Sequence, residues 1–199
     1  MCKLCETNPV YEFTNKRKLC KRCFVNYFVK KFLYTVRKFN MAHQGDIIGY
    51  KKGNKLKEVV LEDLLEFFSK KSGIKIVTLP NTKANKIAVD SSIDSESTEI
   101  IETLIKGNSS SFEKQLPTEN KIIKPLYLFL DEEILLYAKI KNLKFKGGEP
   151  SAGSSQFMHP RRKLKINKKD NIQEFVDQFE KKHPEVKRAI VNSLLELYK

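Results

Sequence analysis

Cysteine disappears from this 199-residue chain after position 23, and no acidic residue stands between Glu12 and Asp46. The first absence removes a class of chemistry. Nothing beyond Cys23 can act as a thiol nucleophile, carry a persulfide or ligate an iron–sulfur cluster. Long apolar runs are missing too, since none approaches the ~18 residues that a membrane span needs. The opening Met1-Cys2-Lys3-Leu4-Cys5 lacks the basic-then-apolar pattern of a secretory signal. Membrane and secreted classes are therefore disfavoured, and a cytoplasmic location is expected. No internal repeat is present.

What is there in excess is positive charge. Lys and Arg number 38 against 24 Asp and Glu, a net charge of +14. Such a balance concentrates polyanions such as RNA or DNA around the chain. A lysine-rich proteome would give the same total with an even spread, but the spread here is uneven. Lys16, Arg17, Lys18, Lys21, Arg22, Lys30, Lys31, Arg37 and Lys38 fill the acid-free window, and Arg161, Arg162, Lys163, Lys165, Lys168 and Lys169 form a second cluster that meets no acid until Asp170. At 23.1 kDa there is room for one medium domain and one small module, with a core that needs no disulfides.

The four cysteines, Cys2, Cys5, Cys20 and Cys23, form two CxxC pairs separated by fourteen residues. Two close pairs joined by a short loop can bring four thiolates to one tetrahedral centre, and the softness of sulfur suits Zn²⁺. Lys3, Lys18, Lys21 and Arg22 would partly offset the doubly negative charge of a zinc ion held by four thiolates. A rubredoxin-like or cluster-type iron site uses the same ligands, and two disulfides are the remaining alternative, which a reducing cytoplasm opposes. Val10-Tyr11-Glu12-Phe13 reads as one short strand. A module this small has little core, so the metal would supply much of its folding free energy.

Downstream, Phe24, Phe28, Phe32, Val36 and Phe39 recur at helical spacing, which predicts a helix with an apolar face and a basic one. Gly45 to Tyr50 predicts a strand and turn. A helix carries Val59, Val60, Leu61, Leu64, Leu65, Phe67 and Phe68 and stops at Ser72-Gly73. Strands follow at Ile74 to Leu79 and Lys86 to Val89, then a helix from Asp94 to Lys106 closed by Gly107. Ser109-Ser110-Ser111 opens a polar loop, Lys121 to Leu126 is extended before Pro125, and Asp131-Glu132-Glu133 opens a helix with acids at its positive end. Two further helices are expected at 171–182 and 184–198, with Pro184 in a first turn. Alternation of strands and helices through 46–145 predicts a small parallel α/β sheet. The expected divisions are 1–24 for the ribbon, 25–44 for a basic linker helix, 45–145 for the α/β domain, 146–170 for a mobile basic loop and 171–199 for the C-terminal helices.

Four stretches, in order along nearly the whole chain, resemble the PP-loop tRNA 2-thiolation family. The two CxxC pairs lead into a helix like that family's, here Cys23-Phe24-x-x-Tyr27-Phe28-x-x-Lys31-Phe32. Ile87-Ala88-Val89-Asp90 through Asp94-Ser95-Glu96 resembles its "ALGH-LDDEA" block. Lys124-Pro125-Leu126 with Glu133 and Leu136-Tyr137-Ala138 resembles "KPL…EVALYA", and Phe179-Glu180-Lys181-Lys182-His183-Pro184 resembles its C-terminal "LEEKHPGTK". The resemblance implies a four-cysteine zinc ribbon plus helix, followed by a reduced adenine-nucleotide-hydrolase-like, Rossmann-like parallel sheet and C-terminal helices.

The departures from the family are as informative. Where active members carry an SGGKDS loop that cradles ATP phosphates, this chain has Tyr50-Lys51-Lys52-Gly53-Asn54-Lys55-Leu56-Lys57. Backbone N–H groups at a helix start make such a cradle, and one glycine survives. The paired aspartates are reduced to Asp94 beside Ser95, and the core cysteines that hold a cluster or carry sulfur are gone. Gly49, Lys51, Lys52, Gly53, Lys55 and Asp94 are the expected remnant of the nucleotide pocket. The resemblance thus implies a non-catalytic, tRNA-binding, zinc-containing subunit that pairs with a catalytic PP-loop paralogue in wobble-uridine thiolation, with a homodimer as another assembly. Lys16, Arg17, Lys18, Lys21, Arg22, Lys30, Lys31, Arg37, Lys38, Arg161, Arg162 and Lys163 are the candidate tRNA contacts. Two other readings compete: a residual ATP-dependent sulfurtransferase using Asp46, Lys55 and Asp94 at the sheet's C-terminal edge, and a zinc-ribbon scaffold that binds protein. His43, His159 and His183 are assigned to no catalytic step.

Overall fold

A computed structural model describes residues 1–146 and 168–198. The chain opens with a hairpin of β1 (Tyr11–Glu12) and β2 (Lys18–Leu19), antiparallel with Tyr11 opposite Leu19. The turn is closed by the Lys16 amide donating to Phe13 O at 2.8 Å, with Lys16 at φ +64°. The single strand read from the sequence is one arm of this hairpin. Its partner is two residues long and leaves no periodic trace.

Helix α1 (Lys21–Lys38) begins directly after Cys20 and buries Phe24, Phe28, Phe32, Thr35 and Val36 on one stripe. Arg37 and Lys38 stand in its last turn, where cations complement the helix dipole. Then come β3 (Ile47–Tyr50), α2 (Leu56–Ser72), β4 (Lys75–Thr78), β5 (Lys86–Ala88), α3 (Ile93–Ile105), a 3-10 segment (Ser109–Gln115), β6 (Thr118–Glu119), β7 (Ile122–Ile123), α4 (Asp131–Ile140), α5 (Lys168–Lys182) and α6 (Val186–Leu197). Helix α2 stops where the sequence says it should, with Gly73 at φ +73° in a left-handed cap.

The five strands lie in the order β4-β3-β5-β7-β6. The first three pairings are parallel, and β6 pairs antiparallel with β7 through a tight turn at Asn120, φ +52°. The sheet is therefore mixed at one edge rather than wholly parallel, and the polar loop expected at 109–111 is the start of the 3-10 segment. Helices α5 and α6 pack against α3. The main core runs from Cys2, Leu19 and Cys20 of the hairpin through the α1 phenylalanines to Ile48, Leu64, Phe129 and Tyr137. Phe28 lies at its centre, stacked on Tyr137 at 4.2 Å and tilted against Phe129 at 4.5 Å. A second core joins Ile93, Ile100 and Tyr127 to Val191 and Leu194 of α6.

Strand β4 lies on one side of β3 and β5 on the other. The order reverses there, so a crevice opens between the carboxyl ends of β3 and β5, where open α/β sheets place their ligands.

Candidate functional site

Three places carry the residues singled out by sequence. The first is the cysteine cluster. Cys2 and Cys5 come from the N-terminal loop, while Cys20 and Cys23 flank the start of α1, and the four Sγ atoms all lie within 4.8 Å of one another. Cys5 Sγ stands 3.3 Å from Cys20 Sγ and 3.6 Å from Cys23 Sγ, and all four thiols are free. One tetrahedral ion with metal–sulfur bonds of ~2.3 Å holds its sulfurs about 3.8 Å apart. The donor set thus fits a metal ion. The backbone N–H of Leu4 lowers the Cys2 thiol, whereas the neighbouring Cys5 thiol pushes the Cys23 thiol up to about 12. Crowded thiols resist a fourth ionisation unless a cation joins them.

The second place is the crevice between β3 and β5, which the chain's own side chains fill. At the start of α2 the Glu58 carboxylate turns back and accepts the Lys55 backbone N–H at 3.0 Å, while Lys51 Nζ stands 3.8 Å from it. This is a capping box, the usual way of satisfying the first amides of a helix. It lies where a phosphate would be received in a phosphate-binding loop. A Cβ on Gly53 would collide with Glu58 Oε2, so the glycine makes room for a carboxylate of the same chain. Lys57 then spans the crevice, with Nζ 2.7 Å from Ser92 Oγ, 2.8 Å from Ser95 Oγ and 2.8 Å from Asp131 Oδ1. Asp94 is also engaged. Its carboxylate accepts the Asp131 N–H at 2.7 Å and pairs with Lys187 Nζ of α6 at 2.5 Å. The same ammonium meets Asp177 at 2.8 Å and Glu180 at 2.7 Å, and it is buried.

The remaining nucleotide-pocket candidates separate. Lys51, Lys52, Gly53 and Lys55 do line the loop after β3, and Lys52 pairs with Glu62 at 3.3 Å. Gly49 lies inside β3, where a Cβ would meet Leu79 Cδ2 at 2.7 Å and Ala84 Cβ at 2.9 Å, so it serves strand packing. Asp46 precedes β3 and binds the Asn85 amide at 2.9 Å and the His43 N–H at 2.8 Å. It sits at the amino edge of the sheet, opposite the carboxyl edge where the sulfurtransferase reading needs it. The polarity of a parallel strand fixes this: residues before the strand cannot reach its far end.

The third place is the basic surface around α1. Lys21, Arg22, Lys30, Arg37 and Lys38 are exposed. Lys16 and Lys18 lie at 3.8 and 3.2 Å from Glu12. Arg17 stacks over the Phe13 ring at 5.0 Å. Lys31 differs from its neighbours. Its Nζ binds the Glu133 carboxylate at 2.5 Å, its side chain is 13% exposed, and Glu133 is fully buried. Burial pulls the Lys31 ammonium below the ordinary lysine value against the attraction of Glu133. Lys31 is thus a structural member of the core rather than a surface contact. The sequence shows a uniform run of lysines there, and only the fold brings Glu133 to one of them. Tyr11 and Tyr27 hydroxyls donate to the same carboxylate at 3.4 and 3.1 Å. His43 and His183 face Asp46 and Glu185 at 3.7 and 4.0 Å. Arg161, Arg162, Lys163 and His159 lie outside the described residues.

A groove that sequence reading missed runs along α1 beside the cysteine cluster, with a volume of about 450 Å³ and Arg17, Asn26, Tyr27, Lys30 and Tyr34 in its walls. Its signal in the sequence is the Asn26, Lys30, Tyr34 spacing of four. Among the described residues, no helix is long and apolar enough to cross a membrane.

Sheet order, crevice position and N-terminal cysteine cluster together define an α/β protein with a small cysteine-rich hairpin at its start. No protein-family model matches the chain, and no curated protein does. A solved structure described as U34-tRNA thiolase NcsA from Methanococcus maripaludis, with its [4Fe-4S] cluster, matches it with a TM-score of 0.71. The two share 16% identity over 98% of this chain and 86% of that one. This chain has the PP-loop tRNA thiolase fold.

Proposed function

We propose that the chain is a tRNA-binding, non-catalytic subunit of a tRNA 2-thiolation system, working beside a PP-loop partner that carries the ATP and sulfur chemistry. One observation carries the reading: the Glu58 carboxylate occupies the start of α2 where a phosphate cradle would lie. An anion already seated there repels a nucleotide phosphate. Lys57 and Lys187 are likewise spent on Asp131 and Asp94. Delivery of sulfur needs a thiol or a cluster positioned at the base, and the four cysteines of the sequence all belong to the N-terminal cluster.

The cysteine cluster holds a single zinc ion in this reading. The 3.3 and 3.6 Å sulfur separations support a mononuclear centre, because a four-iron cube places its thiolates on separate irons and needs a wider cage. Zinc here braces the hairpin against α1 and supplies no redox step. The exposed cations of α1 hold tRNA phosphates, which position the RNA without reading its sequence.

The test combines metal analysis, tRNA binding across a salt series, and thiolation assays of the chain alone and with its partner. One equivalent of zinc, steeply salt-dependent binding and no thiolation without the partner are expected. ATP-dependent uridine thiolation by the isolated chain would overturn the proposal. Iron and sulfide with a charge-transfer absorbance would overturn the zinc assignment alone.

A further inference from the structure

The groove beside the cysteine cluster has a chemistry of its own. Tyr34 is 51% exposed at its rim, so one aromatic ring is presented to solvent from a rigid helix. Tyr27, two turns earlier, lies deeper and is fixed by its hydroxyl bond to Glu133. Asn26 and Lys30 share the wall of the groove with it. Among the described residues Lys30 makes no salt bridge. Across the groove Arg17 is held over Phe13, and its Nε is closed off from solvent with no hydrogen-bond partner among the described residues. Arg17 lines the groove as well and adds a second positive charge to it.

We propose that this groove seats one unstacked nucleotide of a bound RNA. The base lies against the Tyr34 ring, the Asn26 amide meets the base edge, and the flanking phosphate lies between Arg17 and Lys30. An aromatic face, a side-chain amide and two cations within one concavity match the three parts of a nucleotide, and single-stranded RNA is recognised by stacking and edge contacts of this kind. A protein partner explains the combination less well: a groove with two cations and no paired acid favours an anionic ligand. Lys31 lines the groove without contributing a free charge, since Glu133 holds it. The inference rests on the RNA-binding reading above and adds a single-nucleotide seat to it.

Two RNAs of equal phosphate number separate the seat from general RNA affinity: a hairpin with a single-stranded loop carrying 2-aminopurine, and a blunt duplex. With the zinc-loaded full chain, Tyr34→Ala is expected to weaken hairpin binding about tenfold and to abolish quenching of the 2-aminopurine. Duplex affinity stays unchanged, and Tyr34→Phe restores the quenching. Asn26→Ala changes the ranking of loop bases at little cost to total affinity. Tyr34 is exposed, so an unchanged melting curve certifies that the variant is folded. Equal weakening of hairpin and duplex by Tyr34→Ala would overturn the seat. So would unchanged hairpin binding in that variant while Lys21→Glu with Arg22→Glu weakens both RNAs, an outcome that leaves the RNA-binding reading standing. Wild-type protein that binds neither RNA would sink both.

Discussion

Lys31 of α1 and Glu133 of α4, 102 residues apart in the chain, form an ion pair at 2.5 Å with the carboxylate wholly buried. The same carboxylate caps α4 through the Leu130 N–H at 3.0 Å and stands 3.7 Å from Arg188 of α6. One acidic group thus ties the basic helix to the sheet domain and to the C-terminal helices. Removing one member of a buried pair strands the other. Lys31→Ala is expected to lower stability by about 3–5 kcal/mol, read by urea unfolding. Glu133→Gln, which keeps the cap acceptor, is expected to cost less than Glu133→Ala.

Glu58 and Gly53 test the self-filled crevice. Glu58→Ala loses the cap, at a cost of about 1 kcal/mol. Gly53→Ala places a methyl where the carboxylate rests and displaces it, so the expected loss is similar. The two are expected to be strongly non-additive, with Gly53→Ala costing little once Glu58 is absent, as a double-mutant cycle in denaturant would show.

Metal removal is expected to reach beyond the hairpin. Cys2, Leu19 and Cys20 belong to the same apolar cluster as the α1 phenylalanines. Chelation, or Cys20→Ser, is therefore expected to release the metal and lower the melting temperature of the whole chain. A melting curve unmoved by chelation would show the hairpin to be energetically separate.

Alkaline pH is expected to unfold the protein through its tyrosines. Burial and then the Glu62 carboxylate, which accepts the Tyr50 hydroxyl at 3.0 Å, push that phenol up to about 12. Burial raises Tyr11, Tyr27, Tyr127 and Tyr137 as well. A folded value above the unfolded one, about 10, means that the native state holds the proton more tightly. The contribution of Tyr50 is fully present below about pH 10 and is lost as pH climbs towards 12. Denaturant melts across that window, followed by tyrosinate absorbance, give the check.

Phe28 is the packing counterpart. Fully buried against Tyr137 and Phe129, it is expected to cost about 3–5 kcal/mol when replaced by Ala, measured by the same denaturant midpoint.

The sequence announces the features that depend on near neighbours. Cysteines in CxxC pairs, phenylalanines four apart and a glycine after an apolar run mark the metal cluster, α1 and the end of α2. What stays hidden depends on remote partners. Lys57 is one lysine among many until Ser92, Ser95 and Asp131 arrive from distant parts of the chain. Asp94 reads as a nucleotide-site remnant until Lys187, 93 residues on, claims it. The second hairpin arm, β2, and β6 escape notice because two residues carry no period. Asp46 is misplaced for a different reason: its identity suggests chemistry, while its position before β3 fixes it at the wrong end of the sheet.

A protein that holds a nucleotide is stabilised by the logarithm of the nucleotide's concentration around it. Here the acceptor at the head of α2 is tethered three residues from the amide it serves, so its occupancy is independent of concentration. The start of this helix is therefore completed by the chain itself, and its cap needs no second molecule to be present.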